Sequence, residues 1–150
     1  MSQSLILKNS IKINASLSKV WDVLTRSDYT KKYMFGCEII SDWKIGSEFS
    51  WKGVFDGKEI IAVKGDLVGM EKEKFLAYTT FDPNMGIPDV PENYTTVTYS
   101  IVPDNGQTLV TVTQGDFAHV AESEKRWKDV NNNGEGWMPM LVEIKKVAEA

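Results

Sequence analysis

Residues 5–14 alternate, with Leu5, Leu7, Ile11 and Ile13 on one face and Ile6, Lys8, Ser10, Lys12 and Asn14 on the other. A period of two marks a half-buried strand. Ser16 then stands where a hydroxyl can cap a helix start. Leu17, Val20, Trp21 and Leu24 follow at i, i+3, i+4 and i+7, the apolar stripe of a short helix. A second short helix is predicted from about Asp28 to Met34, stopping near Gly36. Sheet pattern takes over at residues 37–43, 47–55, 58–69, 74–81, 94–102 and 107–117. Asp56-Gly57 and Asn105-Gly106 supply the residues that tight two-residue hairpins require. From about Ala121 to Glu149 the spacing of Val130, Trp137, Met138, Leu141, Ile144 and Ala148 is helical. Pro139 and the run Asn131-Asn132-Asn133-Gly134 predict a break between 131 and 138, leaving a firm helix over about 136–149.

The order is therefore strand, two short helices, six strands and a terminal helix. It predicts an α+β fold: a curved antiparallel sheet of about seven strands wrapped on a C-terminal helix, residues 1–150 forming a single domain. One helix cannot fill the concave face of such a sheet. A pocket between sheet and helix is the expected by-product.

Composition narrows the partners. With 17 basic and 21 acidic residues, net charge −4 and no long basic run, the chain lacks the footprint of a nucleic-acid binder. No apolar run approaches a spanning helix, so no membrane insertion is expected. Cys37 is the lone cysteine, which excludes an intrachain disulfide and fits a reducing compartment; with no secretion-type leader the reading is a cytoplasmic protein. One Cys and one His (His119) make no zinc cluster, and the acidic residues are not spaced as a calcium loop. No glycine-rich nucleotide motif occurs. No cofactor and no metal are expected.

Several short motifs, in order, resemble one family. They are Ile13-Asn14-Ala15-Ser16, Val20-Trp21-Asp22-Val23-Leu24-Thr25, Gly46-Ser47-Glu48-Phe49, the run from Pro91 to Tyr99, Thr111-Val112-Thr113-Gln114, and Gly136-Trp137 with Leu141. Together they resemble the SRPBCC superfamily, the START-like or birch-pollen-allergen-like helix-grip fold. The branch is similar to the C-terminal domain of activators of the heat-shock-protein-90 ATPase. Pro139 departs from the branch pattern, which continues Gly-Trp with ordinary helix formers. The resemblance implies a pocket for hydrophobic small molecules (lipids, polyketides or phenolics) in some members, chaperone contact in others and enzymatic activity in a minority.

The aromatic residues point to a binding wall. Trp51, Phe55, Phe75, Phe81, Tyr99, Phe117 and Trp137, with Leu141 on the closing helix, lie on elements that border the concavity. Tyr78, Tyr99, Thr96 and Gln114 offer hydrogen bonds. Strand parity allows only one of Tyr99 and Thr96 to face inward, and the Tyr99 face is taken as the inner one. The same aromatics would also serve as plain core in a protein that binds nothing. Residues 82–93, with three prolines, Met85, Ile87 and Val90, read either as a lid or partner surface or as a stiffened connection.

The first functional reading is non-enzymatic binding of a hydrophobic small molecule. A co-chaperone-like interaction module is the alternative. The second alternative is a cyclase or hydratase on a polyketide-like substrate, for which Glu48, Glu59, Asp116, Tyr99 and His119 are the acid–base candidates. Cys37 reads as a small buried thiol.

Overall fold

A computed structural model describes residues 5–34, 36–84, 86–118, 120–131 and 134–150. Strand β1 (Leu7–Ile13) leads into helices α1 (Leu17–Thr25) and α2 (Ser27–Tyr33). Six strands follow: β2 (Glu38–Ser41), β3 (Glu48–Phe55), β4 (Lys58–Glu71), β5 (Phe75–Thr80), β6 (Thr95–Asp104) and β7 (Gln107–Gly115). Helices α3 (Ser123–Asn131) and α4 (Met138–Glu149) complete the chain. All strands belong to one antiparallel sheet in the order β1-β7-β6-β5-β4-β3-β2.

Local chemistry sets the boundaries. The Ser16 hydroxyl accepts from the Lys19 amide at 3.1 Å and starts α1. Asp56-Gly57 and Asn105-Gly106 both hold positive φ at each position, the primed turns that match the strand twist. Pro139 does not kink α4; it stands in its first turn, where a missing N–H leaves no bond unmade. The expected break thus separates α3 from α4, and Asn132 and Asn133 lie outside the described residues.

Strand β4 is the bent member. Its register slips against β3 at Ala62 and against β5 at Val68, one extra residue each time. Such bulges bend a strand and raise its twist. Between them lies Gly65, where a Cβ atom would stand 1.8 Å from the carbonyl oxygen of Thr79. Only glycine permits that approach.

The concave face is packed at one end. Val20, Val23 and Leu24 of α1 meet Phe49, Leu67, Leu76, Ile101, Val110, Leu141 and Ile144 in a dry core. On β6 the buried residues are Thr95, Val97, Tyr99 and Ile101, so the Tyr99 face points inward. A smaller cluster of Leu7, Phe117 and Val120 packs with Trp127 under α3.

Gly65→Ala is expected to lose about 3 kcal/mol, the upper end of overpacking costs, because backbone must move. Gly69→Ala, whose Cβ would meet only the Phe75 ring edge at 3.4 Å, is expected to stay within about 1 kcal/mol of the parent. Chemical denaturation of both variants measures the difference.

Candidate ligand cavity

At the other end of the concave face the interior is hollow. A half-enclosed cavity of about 290 Å3 lies where β3, β5 and β7 finish and β4 and β6 begin. Trp51 and Phe55 come from β3, Tyr78 and Thr80 from β5, Val97 from β6 and Gln114 from β7. The bulge at Ala62 disrupts alternation on β4, and both Ala62 and its neighbour Val63 line the space. Met34 and Cys37, just past α2, close the floor, and Trp137 covers one side.

Trp137 is held by a strap across the sheet. Asn9 on β1 accepts from the Trp137 backbone N–H at 2.9 Å and donates to the Glu135 carbonyl at 3.3 Å. Gly136 has positive φ, and a Cβ there would meet the Asn9 oxygen at 2.6 Å. The indole N–H then donates to Gln114 Oε1 at 2.9 Å, while Gln114 Nε2 donates to Thr95 Oγ1 at 3.1 Å. Thr95 and Thr80 share a further bond at 3.1 Å. This chain is the polar part of an otherwise apolar wall.

Three tyrosines meet at that wall, Tyr78 in it and Tyr33 and Tyr99 behind it. Tyr78 stacks on Phe49 with centroids 4.2 Å apart, and Tyr99 meets Trp137 edge-on at 5.9 Å. Tyr33 donates to the Val23 carbonyl at 2.9 Å. The Tyr99 hydroxyl is buried near that of Tyr78, the residue only 2% exposed, and makes no well-formed hydrogen bond. Burial raises the pKa of all three hydroxyls, so each stays a neutral phenol.

Of the ten residues expected at the site, Trp51, Phe55, Tyr78, Gln114 and Trp137 line the cavity. Tyr99 and Leu141 are buried in the core behind it. Phe81 and Phe117 line a neighbouring groove beneath α3. Phe75 stands apart from the cavity: it is 36% exposed on the opposite face of β5 from Leu76 and Tyr78, its ring lying over Gly69. Met34, Cys37, Ala62, Val63, Thr80 and Val97 were not anticipated. For Val97 the signal existed, since it shares the Tyr99 face; for Ala62 and Val63 parity misleads, because the bulge breaks it.

The acid–base candidates are dispersed. Glu48 and Glu59 are exposed, Glu59 paired with Lys52 at 2.5 Å. Asp116 accepts from the backbone of Leu5 and Ala118, each at 2.8 Å. His119 and Met85 lie outside the described residues. Among the described residues no cluster of three His, Cys, Asp or Glu side chains is placed to hold a metal, and no helix is long and apolar enough to cross a membrane.

The described part of loop 82–93 is fastened at several points. Asn93 Nδ2 donates to the Pro88 carbonyl at 2.8 Å and Asn84 Nδ2 to the Ile61 carbonyl at 3.1 Å. Asp89 pairs with Lys64 and accepts from the Tyr94 hydroxyl at 2.6 Å, and Tyr94 stacks on Phe81.

A curved antiparallel sheet, two short helices after the first strand and a closing C-terminal helix define the helix-grip class of α+β proteins. The sequence profile of the family described as "Activator of Hsp90 ATPase homolog 1-like protein" matches residues 14–149, and the chain belongs to that family. Solved structures agree. The protein ChR145 of Cytophaga hutchinsonii is 34% identical over 97% of this chain and 99% of its own, with a TM-score of 0.69. The Aha1 dimer of Colwellia psychrerythraea is 20% identical, covers 96% of each chain and superposes with a TM-score of 0.67. CalU16 of Micromonospora echinospora is 16% identical over 95% of this chain and 74% of its own, with a TM-score of 0.65. No curated protein matches the chain.

Two measurements check the electrostatics. Tyr99→Phe removes an unsatisfied hydroxyl and is expected to leave stability unchanged or raise it by about 1 kcal/mol, whereas Tyr33→Phe loses a bond and about 1 kcal/mol; thermal unfolding separates them. Lys64, with Tyr94 adding to it, holds the Asp89 carboxyl below its ordinary value of 3.8. Because the folded value is depressed, the anchor's stabilisation is full above pH 3.8 and is lost as pH falls through the folded value. An NMR titration of the Asp89 carboxyl carbon is expected to give a midpoint below 3.8.

Proposed function

We propose that the protein is a non-enzymatic carrier or sensor of a hydrophobic small molecule of the lipid, polyketide or phenolic type, bound between the sheet and the C-terminal helix. The observation that carries this reading is the half-enclosed, almost wholly apolar cavity of about 290 Å3 walled by Trp51, Phe55, Tyr78 and Trp137. It falls just short of the roughly 300–1,000 Å3 usual for ligand pockets. Apolar burial supplies the affinity, at about 25 cal/mol per Å2 before ordering costs. The Trp137–Gln114–Thr95 chain supplies orientation. The exposed positions of Glu48 and Glu59 favour binding over acid–base chemistry. The lone buried Cys37 suits a reducing compartment, and we place the carrier in the cytoplasm on that ground.

A second reading, a chaperone-contacting module, draws on the family's description and on the Colwellia Aha1 dimer. It needs no hollow interior.

Ala62→Phe puts a ring into the cavity from a half-buried wall position. The unaltered protein is expected to enhance the fluorescence of N-phenyl-1-naphthylamine, and A62F to lose at least tenfold in affinity while keeping its circular dichroism. No binding by the parent, or equal binding by A62F, refutes the carrier.

A further inference from the structure

Among the described residues one buried charged group, Arg126, makes no ion pair. Arg126 on α3 is only 6% exposed, deep for a residue that is almost never buried unless paired. Its Nη1 donates to the backbone carbonyl of Asn93 at 2.8 Å, and no carboxylate of the described residues lies within ion-pair distance. A guanidinium carries five N–H donors in a planar fork. One neutral carbonyl leaves most of that fork without an acceptor, and the charge is offset only by the attraction of Asp82, which makes no ion pair with it. Desolvation lowers its pKa, and the attraction of Asp82 opposes that only in part.

Arg126 also faces open space. It lines a groove of about 350 Å3 floored by Phe81 and Phe117. That groove shares Val63, Thr80 and Gln114 with the apolar cavity. A molecule with its apolar body against Trp51 and Tyr78 can therefore pass Gln114 and present a head group to Arg126. The other charged residues lining the groove are Asp82, beyond β5, and Lys125 and Asp129 on α3. Those three sum to one negative charge, which Arg126 balances, so a bound anion has to outcompete Asp82.

We propose that the cargo is an amphipathic acid, with a carboxylate paired to Arg126 and an apolar body in the adjoining cavity. The fork matches a carboxylate in two parallel bonds, stronger than any contact an alcohol head could make there. This rests on the carrier reading and refines it by naming the chemical class of the ligand.

The test compares decanoate and 1-decanol, equal in chain length and different in charge, as displacers of N-phenyl-1-naphthylamine at neutral pH. The unaltered protein is expected to prefer decanoate. In Arg126→Met the decanoate-to-decanol affinity ratio is expected to fall about tenfold to a hundredfold, the range of a charge-assisted bond. Arg126→Lys is expected to recover part of it. A role limited to holding α3 on Asn93 would weaken both displacers alike and leave the ratio unchanged, which would overturn the proposal. Asp82→Asn removes the competing carboxylate and keeps the fork; it is expected to tighten decanoate severalfold and leave decanol unaffected. Should Arg126→Met fail to fold, an unchanged decanoate affinity in Asp82→Asn overturns the proposal by itself. Naphthylamine binding with no displacement by decanoate sinks the acid and spares the carrier, whereas no naphthylamine binding sinks both.

Discussion

The hollow depends on the curvature of β4, because a flat strand would bring its neighbours down onto the helices and close it. Two extra residues, Ala62 and Val68, lengthen β4 relative to its partners, and Gly65 lets its backbone press against Thr79 between them. Bulges of this kind bend a strand and raise its twist, so β4 curves between β5 and β3. Space then opens at the end where Phe55, Thr80 and Gln114 stand, while the end under α1 stays filled by Phe49, Leu67 and Leu76. One half of the concave face is filled by core side chains, and the other is left hollow.

That division explains what the sequence could and could not convey. Alternation and helical spacing are local, so all seven strands, the capped first helix and the break before Met138 were legible from residue order alone. Turn chemistry placed both tight hairpins. Parity separated Tyr99 from Thr96 on uninterrupted β6, and the face of Val97, Tyr99 and Ile101 is the inner one. The cavity wall was only partly legible. Phe75 looked like its aromatic neighbours, yet an odd step along β5 turns it outward over Gly69. Ala62 and Val63 carried no mark, since a bulge is visible only in the pairing with β3. Arg126 sat in the polar run Ser123-Glu124-Lys125-Arg126, which reads as a solvated face until α3 is laid on Phe117 and Asn93.

Polar groups inside the molecule fall into two kinds. Gln114, Thr95, Thr80 and the Trp137 indole satisfy one another and hold their places whatever occupies the cavity. The Tyr99 hydroxyl and the remaining Arg126 donors have no such closure. Burying a donor without an acceptor opposes folding, and groups of this kind persist where something outside the fold completes them. Arg126 borders a groove that adjoins the apolar hollow, whereas the Tyr99 hydroxyl is sealed in the core behind it.

The strap from Asn9 to Trp137 joins positions 128 residues apart in sequence. Strand β1 likewise pairs with β7, the last strand to be made. During synthesis the first strand must therefore wait for its partner, and the cavity lacks one wall until residue 137 has left the ribosome. Assembly dominated by such distant pairings is slow. The hollow at the end of the concave face is therefore bounded on one side by residues from the two ends of the described chain.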